Sequence, residues 1–405
     1  MTTLSLYLHI PFCERRCAYC DFNTYAGLQS LMPAYTRALA SELRMVAAAG
    51  RADGMQEVER RVHSVYFGGG TPSLLPSTLL SEIVHAMRNS FALGDDVEMT
   101  IEANPGTVDS SSLHGLRRLG FNRLSLGVQS SHPDELRILD RGHSFAEAAT
   151  AVRDARRAGF TNLNLDLMYG LPDQTLRRWQ ETLRRTLDMA PDHLSLYALS
   201  LEFGTPLRAW VQRGIVPAPD DDLAADMYDS AIGHLKDAGF IHYEISNWAR
   251  RTAADAPAGT ISSPALACRH NLQYWRNLPY LGFGAGAHGC EAGWRYSNVR
   301  SPCEFIRRIE TGTQGRYPFS PALVEREPLD LNDQMDETLM LGFRLLREGV
   351  REDEFENRYG RTIASRFRDR LDRLQELGLI TRSIHGPRLA PRGRLLANQV
   401  FREFV

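Results

Sequence analysis

The chain has 405 residues, of which 43% are hydrophobic and 24% charged, enough for one large core and a smaller second domain. Its formal net charge of −2 excludes a chain-wide basic surface, so we expect no nucleic-acid partner. No segment approaches about 18 uncharged apolar residues, and the first residues lack the pattern of a secretory signal, which excludes a membrane span and predicts a cytoplasmic protein.

Short β-branched or aromatic runs alternate with amphipathic stretches through residues 1–245. The predicted strands begin near Leu4, His63, Val97, Arg123, Asn162 and His193. The clearest predicted helices span 32–49, 77–89, 145–158, 175–188 and 220–238. Six β-then-α units predict parallel strands with right-handed crossovers. We therefore expect an α/β fold with a TIM-like (β/α) barrel, full or partial with six units.

Three cysteines lie within eight residues after the first predicted strand, in the run Cys13-Glu-Arg-Arg-Cys17-Ala-Tyr-Cys20. Structural zinc sites usually have four protein ligands, and iron–sulfur clusters that only carry electrons also take four thiolates. Three thiolates without a fourth favour a cluster with one iron open to a small molecule. Two alternatives stay open from spacing alone: a zinc site completed by His9, and three thiols that are merely close in sequence.

Glycine-rich or polar segments stand where the next four predicted strands end. They are 68–72 (GGGTP), 102–106 (EANPG), 127–129 (GVQ) and Asp166 with 169–172 (YGLP). Each alone is typical of a turn, a helix cap or a surface ion pair. In a parallel βα barrel, however, the site lies at the carboxyl ends of the strands. Together with the cysteine run, these segments therefore predict one ligand site.

The second half of the chain has a different pattern. We expect a connecting region over 246–320, followed by a smaller C-terminal domain over 321–405. That domain has predicted helices at 335–347, 350–359 and 363–377 and a hairpin around His385, a winged-helix-like succession. Because its basic excess is small, a docking or stability role is favoured over DNA binding.

The segment from Tyr7 to Gly27 around the cysteines resembles the radical S-adenosyl-L-methionine (SAM) superfamily, in its coproporphyrinogen oxidase-like branch. The resemblance implies that Cys13, Cys17 and Cys20 hold a 4Fe-4S cluster whose fourth iron is chelated by the amino and carboxylate groups of SAM. In that superfamily an electron from the cluster splits the sulfonium to give a 5′-deoxyadenosyl radical.

The same resemblance implies contacts to SAM across the N-terminal two-thirds of the chain. Positions that flank SAM and the cluster, or hold the methionine amino group, are matched by Tyr7, Tyr19, Gly69, Gly70 and Thr71. Positions that contact the amino-acid and ribose parts of SAM are matched by Glu102, Gln129, Arg141 and Asp166. Arg141 is expected to pair with a carboxylate, because a planar guanidinium binds one bidentately.

Two functional classes of this branch compete. Oxygen-independent coproporphyrinogen III oxidases decarboxylate propionates. They have a further cysteine where this chain has Phe22. They also have an N-terminal extension before the tyrosine that corresponds to Tyr7, which stands almost at the start here. The chain resembles more closely the HemW-type haem chaperones, which bind haem and deliver it to acceptor proteins. The elements that match them span 21–27, 243–247, 268–275 and 281–289.

The HNxxYW element from His270 to Trp275 is the one associated with haem in the HemW-type proteins. His270 is the candidate iron ligand, with His288 and Cys268 as alternatives, although a histidine beside aromatic residues is often only a packing residue. The acceptor, the oligomeric state and any peripheral membrane contact through the acceptor do not follow from the sequence. Enzymatic activity also stays open, because a radical SAM methyltransferase or haem-degrading enzyme would share the cluster and SAM pocket.

Overall fold

Six parallel strands, paired in chain order, form the centre of the protein in a computed structural model that describes residues 3–54, 61–257, 261–313 and 315–405. Two further two-residue strands pair only with each other. In chain order the strands of this region are β1 (Leu4–Ile10), β2 (Phe12–Cys13), β3 (Tyr25–Ala26), β4 (Val62–Gly69), β5 (Leu93–Ala103), β6 (Arg123–Gln129), β7 (Asn162–Tyr169) and β8 (His193–Ala198). The order β1-β4-β5-β6-β7-β8, parallel throughout, confirms the predicted partial barrel.

Helices connect these strands. They are α1 (Met32–Ala52), α2 (Ser77–Ser90), α3 (Ser110–Leu119), α4 (Pro133–Ile138), α5 (Phe145–Arg157), α6 (Leu176–Leu187), α7 (Pro206–Gln212) and α8 (Asp221–Asp237). Of these, α1, α2, α5, α6 and α8 lie where the hydrophobic periodicity predicts them. The clearest start signal is at α5, where Ser144 and Glu147 form a capping box. Among the helices that the sequence did not predict, α3 also begins with a capping box, formed by Asp109 and Ser112.

The segment after α8 adds six strands among the described residues, of which the last four lie on the other side of β1. Its elements are β9 (Phe240–Glu244), β10 (Asn247–Arg250), α9 (Arg269–Trp275), β11 (Tyr280–Phe283), β12 (His288–Glu291), β13 (Trp294–Asn298), α10 (Pro302–Thr311) and β14 (Leu323–Pro328). Strand β11 pairs in parallel with β1, and β12, β13 and β14 follow it outward in the sheet. Local pattern does not reveal this, because β11 is short and its partner lies at the start of the chain.

The chain consequently divides into two discontinuous compact units. Unit 1 consists of Met1–Ala231 with Pro279–Glu327, and unit 2 of Ile232–Leu278 with Pro328–Val405. The sequence-based boundaries differ from this division, since the expected connecting region over 246–320 belongs partly to each unit. The physical reason is that its second half is bound into the sheet through β11.

Unit 2 carries the predicted C-terminal helices and hairpin. After the elements already given, it contains α11 (Leu331–Gly342), α12 (Glu352–Tyr359), α13 (Ile363–Glu376), β15 (Ile380–Ser383), β16 (Gly386–Leu389), α14 (Pro391–Leu395) and α15 (Ala397–Phe401). The first of these helices begins and ends several residues earlier than predicted. Phe343, Phe355, Phe367, Leu371 and Phe404 are among the buried residues of its core.

No helix in the described part of the chain is long and apolar enough to cross a bilayer. The compartment remains a prediction from the sequence.

Candidate functional site

The cysteine loop leaves β1 and is fixed to its surroundings by backbone contacts. The amide of Tyr25 donates to the carbonyl of Pro11 at 2.7 Å, and the Gln29 side chain donates to the carbonyl of Cys13 at 3.0 Å. Cys13 is buried, Cys17 and Cys20 are half-buried, and none of the three forms a disulfide. The loop therefore presents three thiols from a fixed backbone.

Each of the three thiols has its own polar neighbour. Thr71 donates its hydroxyl hydrogen to Cys13 Sγ at 3.8 Å, and the Thr24 hydroxyl lies 3.9 Å from Cys20 Sγ. Arg141 donates through Nη1 to Cys17 Sγ at 3.4 Å. The pKa of Cys13 is raised to about 11, mainly by burial, with a smaller contribution from the charges of Cys20 and Cys17.

The spacing of the three thiols bears on the kind of metal group that they could hold. In the described ranges, no three His, Cys, Asp or Glu side chains come close enough together to hold one ion. His9, the alternative zinc ligand, already bonds through Nδ1 to the Tyr7 hydroxyl at 3.0 Å and through Nε2 to the carbonyl of Asn23 at 2.9 Å. A four-iron cluster takes each thiolate on a different iron, so its ligands are spaced more widely than those of one ion.

The glycine-rich loop after β4 lies against the start of the cysteine loop. The amides of Gly70 and Thr71 donate to the carbonyls of Ile10 and Phe12, each at 2.8 Å. A Cβ atom on Gly70 would stand 2.5 Å from the Phe12 carbonyl oxygen, and Gly69 has a φ of +113°. Only glycine permits this close approach and backbone conformation without strain.

Glu102, at the end of β5, holds that loop from the other side. Its carboxylate accepts from the Tyr66 hydroxyl at 2.7 Å and from the amide of Gly69 at 3.1 Å. Burial raises the pKa of Glu102 to about 7, and the negative charge of Asp166 adds to the shift. Tyr7 stacks on Tyr66 with ring centroids 6.3 Å apart, which places it beside the same carboxylate.

Asp166, on β7, is positioned by a hydrogen-bond network inside the barrel. Its two oxygens accept from the Ser125 hydroxyl at 3.0 Å and from the Asn164 amide at 2.7 Å. The side-chain oxygen Oδ1 of Asn164 in turn accepts from the Ser195 hydroxyl at 3.1 Å and bonds to His193 Nδ1 at 2.6 Å. Burial raises the pKa of Asp166, although its hydrogen bonds oppose the shift. The sequence predicted Asp166 but not the residues that orient it.

Arg141 is held by protein acceptors as well as by the cysteine loop. Its Nη2 donates to the carbonyl of Gly127 at 2.6 Å and to the side chain of Asn104. Burial lowers the pKa of Arg141, but nearby Tyr19 and Cys17 reverse the shift and raise it above its ordinary value. The predicted pairing of Arg141 with a carboxylate stays a prediction, because here its fork contacts a cysteine sulfur and the polypeptide.

Gln129 and Tyr19 complete the predicted set in unit 1. Gln129 ends β6 with a φ of +65°, in the left-handed region that non-glycine residues rarely adopt, next to a register shift in the strand pairing. Such outliers are frequent at ligand sites. Burial raises the pKa of Tyr19, while the charge of Arg141 lowers it and that of Cys17 raises it.

The structure thus places the three cysteines and all nine predicted SAM residues in unit 1, around the carboxyl ends of β1 and β4–β7. His270 belongs to unit 2, in α9. Its ring is buried, with 1% of its surface exposed, and its Nε2 lies 2.9 Å from the Tyr274 hydroxyl one helical turn away. Asn104 is the main site residue that sequence reasoning missed, although it lies within the EANPG segment.

Comparison with known proteins decides the family. Residues 7–186 match the family described as the Radical SAM superfamily, and residues 329–396 match the HemN C-terminal domain. The chain is 38% identical over 409 residues to heme chaperone HemW of Mycobacterium tuberculosis, covering 99% of this chain and 94% of that protein. It is 34% identical over 403 residues to heme chaperone HemW of Bacillus subtilis, covering 99% of both. The chain belongs to the HemW family of radical SAM proteins.

A solved relative of the HemW family has the same fold. Coproporphyrinogen III oxidase (HemN) from Escherichia coli, described as a radical SAM enzyme, aligns with a TM-score of 0.81 at 26% identity, covering 100% of this chain and 90% of that one. The resemblance predicted from the sequence is therefore confirmed. Radical SAM membership implies a 4Fe-4S cluster and SAM. The donor set fits such a cluster, because the three thiols are free of disulfides and the guanidinium that donates to Cys17 offsets thiolate charge.

Proposed function

We propose that this chain is a haem chaperone, which binds haem and transfers it to an acceptor protein. It would carry a 4Fe-4S cluster on Cys13, Cys17 and Cys20 and an exchangeable SAM. The observation that carries the proposal is the 38% identity, over 99% of the chain, to a protein named heme chaperone HemW. A bound cluster supplies a low-potential electron and an iron that SAM can chelate.

The site residues have distinct roles in this proposal. The glycine-rich loop, held by Glu102, would bring backbone carbonyls close to the SAM ammonium group. Asp166, oriented by Asn164 and Ser125, would accept hydrogen bonds from the ribose hydroxyls. Arg141 would neutralise charge at Cys17.

His270 would need a local rearrangement to bind haem iron through Nε2. In the present geometry that nitrogen bonds to the Tyr274 hydroxyl, and the ring is buried. If Nε2 is the ligand, Tyr274→Phe removes this hydrogen bond and should strengthen haemin binding, whereas His270→Ala should remove the axial-ligand spectrum. An unchanged Soret spectrum in His270→Ala would leave His270 with a packing role.

Haem transfer is tested with the reconstituted protein. We expect stoichiometric haemin binding, followed by loss of haem from the chain and its gain by an apo-haem protein such as apomyoglobin, separated by size or affinity tag. A chain that fails to bind haemin stoichiometrically, or that keeps it, is not a haem chaperone. Docking of the acceptor on the C-terminal helices is part of the proposal, and transfer that survives disruption of their exposed faces would remove that part.

Oxidation of coproporphyrinogen is the second candidate, favoured by the alignment with the Escherichia coli enzyme. Against it, Phe22 stands where the oxidases carry a further cysteine, and its side chain is 65% exposed. Incubating the reduced protein with SAM and coproporphyrinogen III separates the two candidates. Formation of protoporphyrinogen would identify an oxidase, whereas 5′-deoxyadenosine without a change in the porphyrin would not.

A further inference from the structure

The β12–β13 hairpin of unit 1 presents an imidazole that the proposed SAM site does not use. His288 begins β12 with an exposed side chain. It pairs across the hairpin with Ser297, and Cys290 pairs with Arg295. Because directly opposed residues of antiparallel strands point to the same side, these four residues share one face of the hairpin. His288 and Arg295 are then diagonal neighbours, about 7–8 Å apart at the backbone.

Charges of both signs act on this imidazole. Burial lowers the pKa of His288, Arg300 lowers it further, Glu325 opposes that shift, and Arg295 lowers it again. Glu325 accepts a hydrogen bond from the Ser297 hydroxyl at 3.4 Å, so one carboxylate stands against the two guanidiniums. The two guanidiniums therefore leave this face suited to an anionic ligand.

The hairpin is also bound to the segment that follows the cluster cysteines. The backbone carbonyl of Arg300 accepts from the side-chain amide of Asn23 at 2.9 Å and from the Tyr25 hydroxyl at 3.4 Å. Asn23 donates as well to the carbonyl of Ala285, in the glycine-rich stretch before His288. Both ends of the hairpin are thus fixed to residues that directly follow the cysteine loop.

We propose that this face binds haem, with His288 as an axial ligand of the iron and Arg295 and Arg300 paired with the two propionates. The assignment rests on the proposed haem-chaperone function and names its binding site. Imidazole nitrogen is a common haem ligand, and guanidinium is the side chain best matched to carboxylate. His288 is exposed, whereas the ring of His270 is buried and bonded to Tyr274.

The iron contact is tested by comparing haemin with iron-free protoporphyrin IX on the reconstituted full chain, after subtraction of the cluster absorbance. His288→Ala should weaken haemin binding by at least about tenfold and shift the Soret band, while the affinity for protoporphyrin IX stays unchanged. His114→Ala is the matched control, since His114 is an exposed histidine of α3 in the same unit. Equal losses for both porphyrins would overturn the ligand assignment.

The propionate contacts are tested on the unaltered protein by comparing haemin with its dimethyl ester. We expect the free acid to bind at least about tenfold more tightly, and the preference to disappear in the Arg295→Ala/Arg300→Ala double variant. Arg153→Ala, an exposed arginine on α5, is the control. Equal affinity of the unaltered protein for acid and ester would remove the arginines from the site.

The outcomes separate this inference from the proposed function. If the unaltered protein does not bind haemin stoichiometrically, the haem-chaperone proposal itself fails. If it binds haemin but the axial-ligand spectrum is lost in His270→Ala or Cys290→Ser and kept in His288→Ala, only the assignment to this face is overturned.

Discussion

At the scale of single residues, Asn104 connects two of the three cysteines proposed to hold the cluster. Its carbonyl oxygen accepts from Arg141, which donates to Cys17, and its amide donates at 3.4 Å to the hydroxyl of Thr71, which donates to Cys13. Side chains that orient ligands in this way often matter nearly as much as the ligands. The side-chain amide of Asn104 therefore holds both Arg141 and Thr71, the residues that donate to Cys17 and Cys13.

We predict that Asn104→Ala shortens the lifetime of the reconstituted cluster under chelator challenge by about tenfold, the lower end of effects seen for residues that orient metal ligands. Asn104→Asp should stay closer to the unaltered protein, because it keeps an acceptor for Arg141. The measurement is the decay of the iron–sulfur absorbance. Equal lifetimes in all three proteins would show that Asn104 does not support the site.

The cysteines themselves give a second prediction at this scale. Cys17→Ser should abolish the brown iron–sulfur absorbance after reconstitution, since a hydroxyl replaces one of three thiolate ligands. The exposed Cys303 provides the control, because Cys303→Ser should retain full iron and sulfide content. A complete cluster in Cys17→Ser would refute the ligand assignment.

At the scale of elements, Glu42 joins α1 to the segment after β11. Its buried carboxylate accepts from the amide of Gly284 at 2.7 Å, the Asn298 side chain at 2.8 Å and the Ser320 hydroxyl at 2.7 Å. Burial raises the pKa of Glu42 from 4.5 to about 7 against the effect of these hydrogen bonds. The helix and the late strands are thus held by a carboxyl that titrates near neutral pH.

This pKa has a defined consequence for stability. The folded protein keeps the Glu42 proton up to about pH 7, whereas the unfolded chain releases it near pH 4.5. The contribution of Glu42 to the free energy of unfolding is therefore fully present below about pH 4.5, and it is lost as the pH rises through 7. At about 1.4 kcal/mol per pKa unit, the loss is about 3 kcal/mol.

We predict that the difference in unfolding free energy between the unaltered protein and Glu42→Gln falls by about 3 kcal/mol from pH 4.5 to pH 8, because glutamine does not titrate. Urea unfolding followed by circular dichroism measures it. Glu310→Gln, at an exposed position of α10, should show no such pH dependence relative to the unaltered protein. Parallel pH profiles for the unaltered protein and Glu42→Gln would contradict the prediction.

At the scale of the whole molecule, unit 2 is assembled from two separate stretches of chain. Within it, the amide of Leu346 donates to the carbonyl of Tyr243 at 3.0 Å, and Arg276 forms an ion pair with Glu348 at 2.8 Å. Tyr243, Leu272 and Leu345 belong to one buried cluster. The segment that carries the HNxxYW element therefore depends on the C-terminal helices for its packing.

We predict that truncation after Glu327 does more than remove the C-terminal helices. It should leave the apolar residues of 232–278 uncovered, so that the truncated protein binds a hydrophobic dye and is cleaved by protease within that segment. The full-length chain is the control. A truncated protein without dye binding or new cleavage would show that 232–278 is stable without its C-terminal partner.

Much of the fold follows from local pattern, and part of the site does too. The six parallel strands and most of their helices were predictable because hydrophobic periodicity and caps act over a few residues. The sequence does not identify Asn104, Ser125 and Asn164 as site residues, because polar residues near strand ends are also common in turns, helix caps and surface contacts. Their roles depend on partners such as Arg141 and Asp166, which lie on other elements.

The cysteine run, the polar ends of successive strands and the radical SAM resemblance can be recognised from the sequence alone, because each is a short pattern of residue type and spacing. Only the tertiary structure decided that β11 pairs with β1, that unit 2 is built from two stretches, and that His270 is buried while His288 is exposed. These depend on contacts between residues far apart in the chain, and no local period records such contacts.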